Sequence, residues 1–203
     1  MSYNKKLGIL LSGRGSNFLA IADSIDSGAL PGAEIAVVIS NRAEAPGIAA
    51  ARERGLHALV IEANGRKRAE HDTEIIAALR EHQVDLVCLA GYMRLLSPQF
   101  VQAFPQHILN IHPSLLPAFP GLDAQRQALE YGANFSGCTV HFVDEQLDHG
   151  VIVTQRVVPI LPSDDERSLA ARILEQEHQA YPEAIARVLS GNYAIVGRRY
   201  EAR

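Results

Sequence analysis

Apolar runs of strand length alternate with amphipathic stretches along the first half of the chain. Continuous apolar runs are typical of parallel strands that are buried on both faces, and apolar positions spaced three and four residues apart are typical of helices. The pattern predicts strands at 7–11, 35–39, 59–61 and 84–90, separated by helices at 18–25, 46–54 and 68–82. Strands and helices that alternate in this way indicate a parallel sheet with helices on both faces.

The second half of the chain is less regular. A strand that ends at His112 is followed by a Pro-rich loop, and two further strands are predicted at 138–143 and 151–160. The seven residues between those two strands suit antiparallel neighbours better than a crossover. A short helix is predicted around 123–131, and a long helix from a capping box at 163–166. The predicted fold is therefore three-layer α/β, with a Rossmann-like parallel N-terminal half extended into a mixed seven-stranded sheet.

Composition narrows the class of protein. A length of 203 residues with 47% hydrophobic residues is enough for a sizeable core. A net charge of -4 with interspersed signs offers no basic patch for nucleic acid or a membrane surface. The apolar run that follows residues 1–6 is too short for a signal peptide or a membrane span. Cys88 and Cys138 lack metal or redox spacing, so we expect buried reduced thiols in a cytoplasmic protein.

The strongest chemical feature is the strand end at Asn110 and His112. Residues i and i+2 of a strand point to the same face, so these two side chains project side by side. Pro113 ends the strand because it cannot donate to a sheet ladder. Open α/β sheets bind ligands at the carboxyl ends of their strands. An amide donor beside a titratable imidazole suits the stabilisation of an oxyanion and the movement of a proton.

The turn at 13–17 lies between the first strand and the first helix. Backbone N–H groups and the helix dipole favour an anion at such a place. Phe18 occupies the position of the third glycine of the dinucleotide fingerprint, and the Gly-Lys-Ser/Thr of a P-loop is missing. We predict a phosphate site, and the alternative is a tight turn in which Ser16 or Asn17 caps the helix.

Two carboxylates outside these motifs, Glu177 and Asp148, are candidate functional residues. Glu177 falls in the centre of the apolar stripe of the last helix. It either forms an internal ion pair or faces a cleft to hold an amine or hydroxyls, because a buried carboxylate needs a partner. Asp148 by itself indicates only a turn. It becomes important if its loop folds over His112, since a carboxylate near an imidazole stabilises the protonated form and raises its pKa.

The remaining histidines predict no metal site. They are scattered along the chain, without the paired spacing that is typical of metal ligands. His141 fits a buried core histidine with satisfied hydrogen bonds as well as it fits a metal ligand.

Taken together, these features resemble the phosphoribosylglycinamide formyltransferase family of purine synthesis. The likeness runs from the first strand to Pro182 and includes the segments 89–98, 110–117, 120–122, 126–130 and 176–178. The resemblance implies that the amine of N1-(5-phospho-D-ribosyl)glycinamide attacks the formyl carbon of 10-formyltetrahydrofolate, the cosubstrate, without a metal. It also implies one formyltransferase domain over 1–203, with a nucleotide-binding half at 1–105 and a catalytic half at 106–203. Small-molecule partners and a monomer or homodimer are expected, with no nucleic acid and no membrane.

The family's site residues carry over position by position. Asn110 and a protonated His112 would hold the oxyanion, and Asp148 would keep the imidazole charged and aid proton transfer. The ribonucleotide would bind at Gly15, Ser16, Asn17, Gln176 and Glu177. The folate would bind at Arg68, Met93, Arg94, Leu95, Leu96, Asn110, Asp144, Glu145 and Leu147.

Some positions depart from the family pattern, and other activities compete with this one. The departures are Arg14, Ala118, Asp123, Gln125 and His149. They concern the periphery of the nucleotide site and not the reaction class. Methionyl-tRNA formyltransferase, formyltetrahydrofolate hydrolase and sugar formyltransferases are similar around the Asn-x-His strand. The first two carry an additional domain for which we expect no room in this chain. A non-catalytic nucleotide-binding module is the alternative from a different class.

Overall fold

The computed structural model describes residues 4–203, so the first three residues of the N-terminal segment 1–6 lie outside the described residues. The chain divides into two compact units, Met1–Leu109 and Asn110–Arg203. No helix among the described residues is both long and apolar enough to cross a membrane.

The first unit alternates parallel strands with helices, as the apolar pattern predicts. Its elements are β1 (Lys5–Leu11), α1 (Ser16–Asp26), β2 (Ala33–Ser40), α2 (Pro46–Glu53), β3 (Ala58–Val60), α3 (Arg68–Glu81), β4 (Leu86–Leu89) and α4 (Pro98–Ala103). Strand β1 pairs in parallel with both β2 and β4, and β3 pairs in parallel with β2. The apolar residues of β1 and β4 are buried on both faces of the sheet, which confirms the predicted parallel sheet.

Helix α4 is absent from the sequence prediction. It has only six residues and one buried side chain, Phe100, so it shows no helical period. Local chemistry starts it instead, because the Ser97 hydroxyl accepts from the Phe100 N–H and Pro98 occupies the first turn.

The second unit contains an antiparallel pair and the long helix. Strand β5 (Ile108–His112) begins in the first unit and ends in the second. The elements that follow are α5 (Ala124–Tyr131), β6 (Phe135–Phe142), β7 (Ile152–Pro159), α6 (Glu166–Leu189), β8 (Tyr193–Val196) and β9 (Arg199–Ala202). Strands β6 and β7 pair antiparallel, which confirms the predicted mixed sheet.

The number of strands is higher than predicted. The described sheet has nine strands in the order β3-β2-β1-β4-β5-β6-β7-β9-β8, so the prediction of seven is wrong. The two additional strands, β8 and β9, form a hairpin, and β9 also pairs in parallel with β7. Charged residues interrupt β9, so neither an apolar run nor a clear alternation marks it in the sequence.

Helix α6 begins three residues later than predicted. Its N-cap is Asp165, whose side chain accepts from the Ser168 N–H while the Ser168 hydroxyl accepts from the Asp165 N–H. The predicted box at 163–166 is wrong because Asp164 is bound elsewhere: its carboxylate pairs with Arg172 at 2.7 Å and accepts from the Leu161 N–H. The apolar stripe of α6 is confirmed, and Glu177 lies within it at 6% exposure.

Candidate active site

The loop after β5 is held by buried hydrogen bonds within the second unit. Thr139 of β6 is fully buried, and its hydroxyl donates to the Ser114 carbonyl and accepts from the Leu116 N–H. The Gln155 amide donates to the Leu116 carbonyl at 2.9 Å. These hydrogen bonds fix the path of the loop after β5 and, with it, the backbone position of His112.

His112 contacts an acceptor through each of its ring nitrogens. Its Nε2 lies 2.9 Å from the Phe119 carbonyl oxygen, which can only accept, so Nε2 carries a hydrogen. Its Nδ1 lies 3.4 Å from Asp148 Oδ2, and both side chains are less than a tenth exposed. A bare Nδ1 would face a carboxylate with its lone pair, whereas a protonated Nδ1 can donate to it. Each ring nitrogen of His112 thus faces an oxygen that can accept a hydrogen bond.

Asp148 is held against His112 by the backbone. Its Oδ2 accepts from the Gly121 N–H at 2.8 Å, and its own φ is 48°. Gly150, two residues later, lies so close to β6 that a Cβ on it would stand 1.7 Å from the Phe142 carbonyl oxygen. This close approach requires glycine. The loop that carries Asp148 therefore folds over His112. This is the contact on which a chemical role of Asp148 depends.

His141 orients Asn110, a role that the sequence alone does not reveal. The His141 Nδ1 donates to the Phe142 carbonyl at 2.8 Å, so its Nε2 is free to accept from Asn110 Nδ2 at 3.3 Å. Burial is the largest influence on the pKa of His141 and lowers it, which keeps the ring neutral and able to accept. The Asn110 amide nitrogen then has one more hydrogen to donate. The sequence could not show this contact because it gives no register between β5 and β6.

In the first unit, the turn after β1 lines a pocket of about 290 Å³. Gly15 is the N-cap of α1 with a φ of 73°, and no side chain caps the helix. The alternative in which Ser16 or Asn17 caps it is therefore wrong. The first-turn N–H groups of α1 give this end a partial positive charge, and Arg14 and Arg42 also line the pocket. The pocket can accept a small anion.

The predicted folate segment 93–96 is anchored at both ends within the first unit. The Met93 N–H donates to the Ser12 hydroxyl at 2.8 Å, and the Ser97 N–H donates to Asp72 Oδ2 at 2.6 Å. Between these anchors, Met93 and Leu95 remain more than half exposed, so the segment presents apolar side chains on a fixed backbone. Arg94 Nε is buried with no hydrogen-bond partner among the described residues.

The other predicted ligand contacts are distributed over both units. Arg68 is the exposed first residue of α3 in the first unit. In the second unit, the loop after β6 carries Asp144, Glu145 and Leu147; Leu147 is 55% exposed, and Asp144 pairs with His149 at 2.8 Å.

Glu177 and Gln176 lie on α6, which packs on β6 and β7. Glu177 lies close enough to Cys138 of β6 to affect its thiol: burial, and then the charge of Glu177, raise the pKa of Cys138 to about 12. Cys138 is thus a protonated, buried thiol. Within residues 4–203, no three His, Cys, Asp or Glu side chains converge as a set of metal ligands.

Known proteins resemble this chain along nearly its whole length. Residues 5–185 match the model of the formyl transferase family. The phosphoribosylglycinamide formyltransferase of Haemophilus influenzae is 46% identical over 179 residues, which are 88% of this chain and 84% of that protein. The chain belongs to the phosphoribosylglycinamide formyltransferase family.

Two further similar proteins show how much of the chain the likeness covers. The Drosophila melanogaster trifunctional purine biosynthetic protein adenosine-3 is 47% identical over 94% of this chain, but this chain spans only 14% of that protein's length. The crystal structure of glycinamide ribonucleotide transformylase 1 from Symbiobacterium toebii has a TM-score of 0.96 at 48% identity, and covers 100% of this chain and 95% of its own. The fold of this chain therefore matches that transformylase structure over nearly the full length of both chains.

Proposed function

We propose that the chain transfers the formyl group of 10-formyltetrahydrofolate to the amine of N1-(5-phospho-D-ribosyl)glycinamide, a step of purine (IMP) biosynthesis. The observation that carries this proposal is the contact between His112 Nδ1 and Asp148 Oδ2 at 3.4 Å, in a chain of this family. With the imidazole protonated, the pair supplies a hydrogen-bond donor for an oxyanion beside a proton acceptor, and both assist acyl transfer to an amine.

The first step is attack of the substrate amine on the formyl carbon. A C–N bond forms, and the formyl oxygen becomes an oxyanion. The Asn110 amide and the His112 Nδ1–H donate to this oxygen, and donors of this kind are typically worth about 3–4 kcal/mol each. Because Nε2 is bound to Phe119, Nδ1 is the nitrogen that acts. Its 3.4 Å distance from Asp148 is longer than a charge-assisted hydrogen bond, so this N–H can take a second acceptor.

The second step is collapse of the intermediate. The bond from the formyl carbon to the folate nitrogen breaks, the amine loses a proton, and the departing nitrogen gains one. Asp148 takes the proton from the amine and returns it to the folate nitrogen through a water molecule. Its other partner, the Gly121 N–H, holds the carboxylate in place during this exchange.

The substrates bind at the positions that the family pattern assigns. The ribonucleotide phosphate enters the pocket around Gly15, Ser16 and Asn17, where Arg14 supplies a positive charge. Gln176 and Glu177 hold the ribose or glycinamide end. The folate lies on the segment 93–96 and on the loop residues Asp144, Glu145 and Leu147, with Arg68 near its glutamate tail. We also propose a single formyltransferase domain in a cytoplasmic monomer or homodimer that needs no metal.

A turnover assay tests the proposed function. We expect the purified chain to consume 10-formyltetrahydrofolate only when the ribonucleotide is present, and to release one tetrahydrofolate for each formylated product. Release of formate without the ribonucleotide would indicate a formyltetrahydrofolate hydrolase. Binding of the ribonucleotide without any turnover would indicate a non-catalytic module. Either result would contradict the proposal.

Replacing Glu177 with glutamine tests the ribonucleotide site. The substitution keeps the size of the side chain but removes the charge that would face an amine or hydroxyls. We expect the KM for the ribonucleotide to rise roughly tenfold, the magnitude of one charged hydrogen bond, while the KM for folate barely changes. Steady-state kinetics with each substrate varied in turn measures both constants.

Glu175→Gln is the matched control, because Glu175 is an exposed carboxylate on the same helix. It should leave both KM values unchanged. If Glu177→Gln instead lowers the melting temperature while the kinetics stay normal, Glu177 has a structural role.

A further inference from the structure

The β8–β9 hairpin lies outside the part of the chain that the family model matches. That match ends at residue 185, whereas the hairpin spans Tyr193–Val196 and Arg199–Ala202. The proposed reaction uses no residue of this hairpin. Its contacts within the second unit nevertheless lead to the loop that carries Asp148.

A stack of aromatic rings fixes the hairpin beside the end of β6. Tyr193 of β8 stacks on Phe142 with ring centroids 6.0 Å apart, and Tyr200 of β9 stacks on Tyr193 at 4.9 Å. Burial raises the pKa of both tyrosines, as expected for rings that are packed rather than free in solvent. Because Phe142 is the last residue of β6, the stack holds the hairpin where the 144–149 loop begins.

Arg198, at the tip of the hairpin, contacts His149 through both ring and backbone. Its guanidinium Nη1 lies 3.2 Å from His149 Nδ1 and 3.0 Å from Nε2, and its Nη2 donates to the His149 carbonyl. A group almost equally close to both ring nitrogens cannot lie along either lone pair, so it sits over the ring face. Arginine stacks on planar rings in this way, whereas a lysine ammonium has no planar face to offer.

From His149, further contacts reach the first residues of the loop. The His149 Nδ1 lies 2.8 Å from Asp144 Oδ2, and Asp144 Oδ1 accepts from the Gln146 N–H at 2.9 Å. Asp148 therefore lies between residues that are tied to one another and, through Arg198, to the hairpin. Asp148 has a φ of 48°, in the left-handed region that few residues other than glycine adopt, so contacts on either side of it help to keep this backbone conformation.

We propose that Arg198 is a positioning residue: through His149 it holds the 144–149 loop so that Asp148 stays against His112. This inference deepens the proposed function and, for its kinetic part, rests on it. It also gives a role to His149, whose ring is the surface that Arg198 contacts, so the arginine and the histidine act as a pair.

Arg198→Ala tests this inference together with a matched control. Arg199→Ala removes a neighbouring arginine that makes no side-chain hydrogen bond or ion pair among residues 4–203. We expect Arg198→Ala to lower kcat by roughly fivefold, as for the loss of exposed charged contacts, with an unchanged KM for the ribonucleotide. Arg198→Lys should restore little of the loss, and Arg199→Ala should match wild type.

Hydrogen exchange tests the holding of the loop independently of activity. We expect amides of the 144–150 segment to exchange several-fold faster in Arg198→Ala than in Arg199→Ala, while the strands exchange at unchanged rates. Combining Arg198→Ala with His149→Ala should give a smaller loss of kcat than the product of the two single effects, because the pair shares one contact.

The possible results separate the two proposals. If wild type transfers no formyl group, the proposed function fails, but loop exchange still decides whether Arg198 holds the loop. Unchanged exchange in Arg198→Ala would overturn the inference. Faster exchange with a normal kcat would overturn the positioning role, since loosening the loop would then have no effect on the function of Asp148.

Discussion

Replacing His112 with alanine should lower kcat by about a hundredfold or more. The substitution removes the Nδ1–H donor that would stabilise the oxyanion, and it leaves the Asp148 carboxylate without its imidazole partner. The KM values should change much less than kcat, because the lost interaction belongs to the transition state. Steady-state kinetics with saturating 10-formyltetrahydrofolate and ribonucleotide measures the effect.

A fall in kcat is informative only if the variant stays folded. His112 is 5% exposed and bound to the Phe119 carbonyl, so we expect a stability loss of about 1–2 kcal/mol, which thermal unfolding would measure. His107→Ala is a suitable control, because His107 is an exposed histidine away from the strand end at Asn110 and His112. Near-normal turnover by His112→Ala would exclude His112 as the catalytic cation.

Replacing Asp148 with asparagine should also lower kcat by about a hundredfold. The variant keeps the shape of the side chain and an oxygen for the Gly121 N–H, but it loses the charge beside His112 and the group that accepts the proton. Lowering the pH below about 6 protonates an ordinary imidazole without help from a carboxylate. It cannot replace a proton acceptor, so we expect the rate to stay low there.

The pH–rate profile of Asp148→Asn separates the two roles of the carboxylate. Full recovery at low pH would show that Asp148 supplies only charge, and that water or another group carries the proton. A normal kcat at all pH values would exclude both roles. Asp26→Asn is the control, because Asp26 is an exposed carboxylate whose partner is Arg54; it should behave as wild type.

The sequence predicts those parts of the site that depend on local geometry. Asn110 and His112 share one face of a strand because residues i and i+2 always do. The turn at Gly15 is recognisable because glycine there precedes an amphipathic helix. Glu177 shows its burial through helical spacing alone. In each case, the relevant neighbours lie within a few residues along the chain.

Contacts between distant residues could not be predicted in this way. The pairing of Asp148 with His112 joins positions 36 residues apart in sequence, and it depends on the path of a loop. The role of His141 depends on the register between two strands. Helix α6 starts later than its sequence predicts because Arg172, eight residues along, binds Asp164 and removes it from the cap. The β8–β9 hairpin lacks a period from which it could be recognised.

The close approach of Gly150 to the Phe142 carbonyl has a consequence for how such a chain can vary. The base of the 144–149 loop is closed by backbone alone, and the Phe142 N–H also donates to the Val151 carbonyl at 2.9 Å. No loop side chain takes part in this closure. Substitutions between these points change what surrounds Asp148 without removing a contact of this closure. The surroundings of the carboxylate, His149 included, can therefore differ in sequence while this backbone closure stays the same.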